Sequence, residues 1–138
     1  MKPSQLFQPS TSIGLLRMMM GIIFILHACA RLYENSVPGF GAFIDSKGFS
    51  GGLYFAWAVT IFELVGGFSM FFRFAVKIFC VIELIILLTG IFLVHLPNGW
   101  FTVGTTAGGI EYSVVLITVL ASIFIAERRN DLNIKPLL

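Results

Sequence analysis

Charged residues are scarce in this chain of 138 residues: they make up 12% of it, whereas a soluble domain carries about 25%. Hydrophobic residues make up 57%, and the mean hydropathy is +0.94. The formal net charge of +2 is too small to indicate nucleic-acid binding. The composition is therefore typical of a membrane protein in contact with the lipid bilayer.

The motifs of common cofactor and metal sites are also missing. The two cysteines, Cys29 and Cys80, lie in different apolar runs, and their estimated depths differ by about 15 Å at the usual helical rise. A disulfide requires Cα atoms within about 7 Å of each other, so they cannot pair within one chain. There is no Cys-x-x-Cys, no Glu-x-x-His of the di-iron type and no glycine-rich phosphate loop. The sequence therefore predicts no metal site and no intrinsic cofactor.

Four long apolar runs dominate the chain, over about residues 13–33, 51–72, 74–95 and 108–126. A helix of about 20 apolar residues crosses the ~30 Å hydrocarbon core of a bilayer. We therefore expect an all-α integral membrane protein, with one domain over residues 1–138 that forms an antiparallel four-helix bundle. The first run is expected to be a transmembrane helix, because it is too long for a signal peptide and has no small-residue cleavage site.

The placement of basic residues predicts the topology. Seven of the nine Lys and Arg residues fall on one side of a four-helix serpentine: Lys2, Arg17, Arg73, Lys77, Arg128, Arg129 and Lys135. Arg31 and Lys47 fall on the other side. The positive-inside rule then places both termini on the cytoplasmic side of the membrane. We expect this membrane to be a bacterial inner membrane. Arg17 and Lys77 lie about one turn inside their helices and are interpreted as interface anchors that reach back to the headgroups.

The connections are predicted to differ in shape. Little more than Arg73 separates the second and third runs, which indicates a tight antiparallel hairpin. The segment 34–50 mixes turn residues with several large apolar ones. We expect it to form a short segment that lies at the membrane interface, or that re-enters over the mouth of the bundle.

Ionisable residues inside the runs are the main functional signal, because a charge at the centre of a bilayer costs about 2.5–3.5 kcal/mol on insertion scales. Their estimated depths form two layers, with Glu63 and Glu83 near the middle and with His27, Arg31, His95 and Glu111 further out. The middle layer has no basic partner at its own depth. At least one of its carboxyls is therefore expected to be protonated, because removal from water disfavours the charged form.

Glycines distinguish the two middle acids. Gly66 and Gly67 follow Glu63 by three and four residues, and so flatten the face that carries its carboxyl. A neighbouring backbone or a ligand can then come close to that carboxyl. Glu83 has no such glycines and is interpreted as a neutral structural acid.

Small and polar residues also recur on single helix faces. In the first run Gly14, Gly21 and Ala28 recur every seven residues, which favours close approach of another helix. In the fourth run a mildly polar stripe is expected to face the bundle interior, because lipid offers no hydrogen bonds. Its members are Glu111, Val115, Thr118 and Ser122.

Five short motifs in this order resemble the DoxX family of four-helix membrane proteins. They are Arg17…His27…Arg31, Glu63-Leu64-Val65-Gly66-Gly67, Arg73, His95-Leu96-Pro97-Asn98-Gly99-Trp100-Phe101 and Gly108-Gly109-Ile110-Glu111-Tyr112. The resemblance runs from Ser12 to Ala126. Where the family usually has Gly directly after the His and Lys four residues after it, this chain has Ala28 and Arg31, so the basic charge is kept. The family's frequent Gly-rich Ser-Leu-Asp ending is absent.

The resemblance implies two functions, and both stay open. Family members are linked with membrane redox systems, among them a thiosulfate:quinone oxidoreductase subunit, which implies a small subunit that binds a quinone or another lipophilic ligand. Any oxidoreductase activity would then need a redox partner protein. Distant relatives include a receptor-assembly chaperone, which implies a non-catalytic assembly factor whose polar residues hold the bundle or contact partner helices. Solute transport is a weaker hypothesis, because four helices rarely enclose a path without forming a homo-oligomer.

The predicted ligand site combines polar groups from both layers. Its members are His27, Arg31, Glu63, His95 and Glu111, with Phe24, Trp57 and Tyr112 as lining residues. A His beside a carboxylate can donate to a quinone carbonyl and relay a proton during reduction. The alternative is a self-satisfied hydrogen-bond network that only holds the helices together. The sequence assigns no catalytic residue.

Overall fold

The computed structural model describes residues 9–103 and 108–132, which form five helices and no strand. The helices are α1 (Pro9–Tyr33), α2 (Val37–Ser46), α3 (Gly52–Phe72), α4 (Val76–Gly90) and α5 (Glu111–Leu132). A π-helical turn, Ile91–His95, and a 3-10 turn, Leu96–Asn98, extend α4. The prediction of an all-α chain is confirmed. Lys2 and Lys135, and the side chains of Arg128 and Arg129, on which part of the topology prediction rests, lie outside the described residues.

Three described segments are long and apolar enough to cross a membrane: Thr11–Tyr33, Gly52–Phe72 and Val76–Asn98. They match the first three predicted runs to within three residues at each end. The helix α5 begins three residues after the predicted start of the fourth run and continues six residues past its predicted end. That α5 also crosses the bilayer, as a four-helix membrane bundle requires, stays a prediction.

The central element of the fold is α3, which packs against α1, α2 and α4, while α5 packs against α4 and α1. The main apolar core lies among the four long helices and includes Met20, Phe24, Met70, Leu120 and Ile123. Many large apolar side chains on the outer faces of these helices are exposed. Exposed apolar faces around a packed core suit contact with lipid rather than with water.

A close helix contact joins α1 and α3 at two glycines. A Cβ atom on Gly21 would lie 2.6 Å from the Gly67 carbonyl oxygen, and one on Gly67 would lie 2.7 Å from the Gly21 carbonyl oxygen. Ala28, one heptad further along α1, is fully buried. The predicted close approach is thus confirmed for Gly21, Ala28 and Gly67. It is wrong for Gly14, where an added Cβ would meet nothing within 4 Å.

The segment between α1 and α3 folds as the helix α2, with Pro38 in its first turn, where a missing N–H costs nothing. It lies across the start of α3, where a Cβ on Gly41 would be 2.8 Å from the Cα atom of Leu53. The Asp45 carboxylate accepts a hydrogen bond of 2.8 Å from the Gly52 backbone N–H. The predicted short segment is therefore a helix folded onto the bundle. Its depth in the bilayer stays a prediction.

A tight turn of three residues, Arg73–Ala75, joins α3 to α4, as predicted. Arg73 and Ala75 adopt positive φ angles of 61° and 48°, which turn the chain back on itself. The backbone N–H of Phe74 donates to the Ser69 carbonyl at 3.0 Å. The Arg73 Nε lies 3.3 Å from an oxygen of Glu127, so an ion pair joins this turn to α5.

Arg17 makes specific contacts within the protein, and its prediction as an interface anchor stays a prediction. Only 9% of the residue is exposed, and its Nη1 donates hydrogen bonds to the carbonyls of Met70 and Phe71 at the end of α3. Carbonyls in the last turn of a helix have no partner within the helix, and a guanidinium satisfies them with charge of the favourable sign. Arg17 therefore joins α1 to α3. Lys77 is half-buried.

The polar stripe predicted for the inner face of α5 is also wrong. Val115, Thr118 and Ser122 are exposed, and the buried side of α5 carries Ser113, Leu116, Leu120 and Ile123. The Thr118 and Ser122 hydroxyls donate to the carbonyls four residues before them, at 2.9 and 2.8 Å. Hydroxyls that bond within their own helix need no partner from the bundle.

Candidate functional site

The main polar contact inside the bundle is an ion pair between Arg31 of α1 and Glu63 of α3. The Arg31 Nη1 lies 2.7 Å from Glu63 Oε2, and Nη2 donates to Oε1 at 3.4 Å. The side chains are only 17% and 7% exposed. The prediction that the middle acids have no basic partner is therefore wrong for Glu63. The long arginine side chain spans the difference in depth between the two backbones. The depth estimate used the helical rise of the backbone alone and did not include the length of the side chain.

Two further side chains enclose the guanidinium. Arg31 Nη1 also donates to the Thr60 hydroxyl at 3.0 Å, and that hydroxyl donates to the Ala56 carbonyl at 2.7 Å. The Arg31 Cζ lies 5.0 Å from the ring centroid of Phe40 in α2, within the range of a cation–π contact. Arg31 thus connects α1, α2 and α3. Thr60 lies one turn before Glu63 on the same face of α3, a spacing that sequence reasoning missed.

Beside this ion pair lies an open cleft of about 440 Å³. Its lining residues come from the end of α1 and the turn into α2: Leu26, His27, Ala30, Arg31, Glu34 and Ser36. His27 and Arg31 are four residues apart and share one face of α1. His27 is exposed and makes no hydrogen bond with any side chain or backbone group of the described residues. The cleft therefore combines an unengaged imidazole, a guanidinium and a carboxylate with apolar wall residues.

His95 and Glu111 belong to a second group at the connection between α4 and α5. The Nδ1–H of His95 donates to the Gly108 carbonyl at 2.7 Å, and Glu111 Oε1 accepts a hydrogen bond of 2.8 Å from the Thr102 backbone N–H. The Thr102 hydroxyl donates to the Gly109 carbonyl at 3.2 Å. Among the described residues no hydrogen bond or ion pair joins this group to Arg31 or Glu63. The structure thus divides the five predicted polar residues into two groups. His27, Arg31 and Glu63 lie at the cleft and its ion pair, whereas His95 and Glu111 bond to the backbone of the connection between α4 and α5.

The three predicted aromatic lining residues do not border the cleft. Phe24 is buried in the apolar core, whereas Trp57 and Tyr112 are 45% and 44% exposed. Trp57 directly follows the buried Ala56, and Tyr112 directly precedes the buried Ser113. The side chains of Trp57 and Tyr112 lie on outward-facing sides of α3 and α5.

Glu83 occupies an unusual position on α4. It is fully buried, and neither carboxyl oxygen has a hydrogen-bond partner within residues 9–103 and 108–132. A Cβ added to Gly66 of α3 would lie 2.6 Å from Glu83 Oε1. Glu83 has no glycine three or four residues after it on its own helix, as the sequence shows, but Gly66 of the neighbouring helix lies beside it. No three His, Cys, Asp or Glu side chains in the described part of the chain group closely enough to hold a metal ion.

The family model of DoxX matches residues 12–96 of the chain. The matched part includes α1 to α4, and with them the cleft, the Arg31–Glu63 pair, Glu83 and His95. It ends before Glu111 and α5. No curated protein and no solved structure matches the chain.

Proposed function

The chain belongs to the DoxX family of membrane proteins, and we propose that its cleft beside His27 and Arg31 binds the headgroup of a lipophilic ligand, with a quinone as the first candidate. In this proposal the protein is a small redox-associated subunit of the cell membrane. A partner protein supplies the electrons, because the sequence carries no motif for a flavin, a haem or a metal. The lipid bilayer accommodates the apolar tail of the ligand.

The observation that carries the proposal is the exposed, unengaged His27 imidazole in a cleft that also contains Arg31. A neutral imidazole has one N–H donor and one acceptor nitrogen. It can therefore donate to a quinone carbonyl and accept from the hydroxyl of the reduced form. Three of the five N–H donors of Arg31 bond to Thr60 and Glu63. Two donors are left for a carbonyl in the cleft.

Charge favours a neutral headgroup. Glu63 already neutralises Arg31 through the short contact of 2.7 Å. The exposed Glu34 at the cleft adds a negative charge and nothing else there adds a fixed positive one. An anionic headgroup would meet Glu34 and a guanidinium whose charge is already paired. A quinone carries no charge and presents only carbonyl acceptors.

The apolar surroundings suit a ligand with a long tail. Leu26 in the wall of the cleft is exposed, as is Ile22 one turn before it on α1. The cleft thus continues into an apolar outer face of α1. A tail that leaves the headgroup along this face stays in contact with apolar side chains and lipid.

The second candidate is a non-catalytic assembly factor, and the Arg31 network favours it. Arg31, Glu63, Thr60 and Phe40 satisfy one another and hold three helices together without any ligand. On this hypothesis the exposed His27 contacts a polar residue of a partner helix. The same cleft then serves as an interface between proteins.

Photoaffinity labelling with a quinone analogue separates the two candidates. We expect labelling of the full chain within residues 26–36, with competition by excess unlabelled quinone and no labelled residue in 99–111. A photoreactive alkane of the same length without a headgroup is the control and should label apolar faces without such competition. If the quinone probe labels only as the alkane does, the quinone proposal is wrong and the assembly factor is favoured.

A further inference from the structure

Glu83 places an ionisable carboxyl in the interior of the bundle. Its carboxyl is fully buried, and both oxygens lack a hydrogen-bond partner among the described residues. Around it lie the backbone of Gly66, the ring of Phe79 and, one turn before it on the same face of α4, the fully buried Cys80. An isolated carboxylate in such surroundings is strongly unfavourable, so the group must either be neutral or find a cation.

The charged groups that act on the Glu83 carboxyl are those of the ion pair. Gly66, which faces Glu83, is three residues after Glu63, and side chains at that spacing lie about 5–6 Å apart on one helix face. Glu63 and Arg31 both interact electrostatically with the Glu83 carboxyl. The interior therefore contains two carboxyls and one guanidinium, carried by the packed helices α1, α3 and α4.

Other ionisable groups lie towards the ends of the helices that pack around Glu83. On α4 these are Lys77, two turns before it, and the thiol of Cys80. On α1, Arg17 is engaged by the carbonyls of Met70 and Phe71. On α5 the described ionisable residues lie at its two ends: Glu111, Tyr112 and Glu127. Arg31 is thus the cation available to both Glu63 and Glu83.

We propose that Glu83 is a proton-binding site in the membrane interior, and that Glu63 and Glu83 share Arg31 as their counter-ion. With both acids ionised the group would carry one net negative charge, and one bound proton makes it neutral. Arg31 pairs with Glu63 in the structure, so the proton is on Glu83. If Arg31 turns to Glu83, the same proton is held by Glu63, and the number of protons is unchanged. Because Arg31 also borders the cleft, occupation of the cleft and the position of this proton are linked.

Infrared spectroscopy of the full chain in lipid vesicles at neutral pH tests this proposal without any cleft ligand, and so independently of the quinone hypothesis. The carbonyl stretch of a protonated carboxyl is resolved from the bands of carboxylates. We expect one such band in the wild type and its loss in Glu83→Gln. Arg31→Gln should give about twice the absorbance, because both acids then lose their counter-ion and take up a proton. Glu63→Gln should lose the band, because Arg31 is released to pair with an ionised Glu83.

The matched control is Glu127→Gln, which removes an acid paired with Arg73 at the bundle end and should leave the band unchanged. Absence of the band from the wild type, or its survival in Glu83→Gln, would overturn the proton site. A full band in folded Glu63→Gln would overturn the shared counter-ion. Should that variant fail to fold, dicyclohexylcarbodiimide, which modifies protonated carboxyls in membranes, decides on the wild type. Modification of Glu83, alone or in excess over Glu63, supports the proposal. Equal or greater modification of Glu63, or modification of neither acid, contradicts it.

Discussion

Arg31 and Glu63 form a two-point ion pair between α1 and α3, with Nη1 2.7 Å from Oε2 and Nη2 3.4 Å from Oε1. The same guanidinium borders the open cleft that contains His27. A residue that holds the bundle together therefore also forms part of the candidate ligand site. Substitutions of Arg31 affect both properties, so variants of its neighbours are more informative.

The first prediction concerns Glu63 and Glu83 together. Glu83→Gln alone should change the free energy of unfolding by less than about 1.5 kcal/mol, because an amide has nearly the shape of the neutral acid. Glu63→Gln alone is tolerated, since Arg31 can pair with Glu83. The double variant leaves the guanidinium without a partner, which costs about 3–5 kcal/mol.

A double-mutant cycle of unfolding in detergent measures this coupling. The predicted double variant is less stable than the sum of the two single effects. Additivity within about 0.5 kcal/mol would show that the two acids are independent.

The second prediction concerns the crossing of α1 and α3. Gly67→Leu should destabilise the bundle by about 1–3 kcal/mol or more, because its Cβ would lie 2.6 Å from the Ile25 side chain and 2.7 Å from the Gly21 carbonyl. Gly14→Leu is the matched control, because the space around its Cβ position is open. Thermal unfolding in detergent should separate the two variants. Equal stability of both would contradict the glycine contact.

Sequence reasoning located the helices well because about 20 apolar residues have few alternatives to a transmembrane helix. It identified the contact face of α3 from the spacing of Glu63 and Gly67, a local feature that helical geometry fixes. It missed the partner of Glu63, because depth was estimated from backbone rise and the reach of the Arg31 side chain was not included. It also named Trp57 and Tyr112 as lining residues of the site, although the direction of a side chain around its helix depends on which neighbours the helix packs against.

The third prediction concerns Arg17. Arg17→Leu should destabilise the protein, because the carbonyls of Met70 and Phe71 lose their donor, at about 1–3 kcal/mol for a buried group left unpaired. Arg17→Lys should restore part of the loss, since an ammonium keeps the charge without the fork of donors. Arg73→Leu is the control: it removes an exposed ion pair with Glu127 and should cost at most about 1 kcal/mol. Chemical unfolding of the three variants checks the order, and a larger loss in Arg73→Leu would contradict it.

The fourth prediction concerns topology. With seven of nine basic residues on one side, both termini are expected in the cytoplasm, with residues 38–47 and 97–106 outside. In a variant without Cys29 and Cys80, Ser46→Cys should react with an impermeant thiol reagent from outside the cell. Asn130→Cys should react only after the membrane is opened. Labelling of Asn130→Cys in intact cells would reverse the predicted orientation.

Binding of a quinone analogue to the purified full chain in lipid nanodiscs tests most directly whether a ligand binds beside His27 and Arg31. The variants are chosen because the structure divides the predicted polar residues into two groups. We predict that His27→Ala weakens binding at least about tenfold, the effect of ~1.4 kcal/mol. Cys29→Ala, which changes an exposed residue of the same helix that does not line the cleft, should bind as the wild type does. Glu111→Gln should also leave binding unchanged, because its carboxylate bonds to the Thr102 N–H and not to the cleft. Equal binding by the wild type and His27→Ala, or loss of binding in Glu111→Gln alone, would contradict a ligand site beside His27 and Arg31.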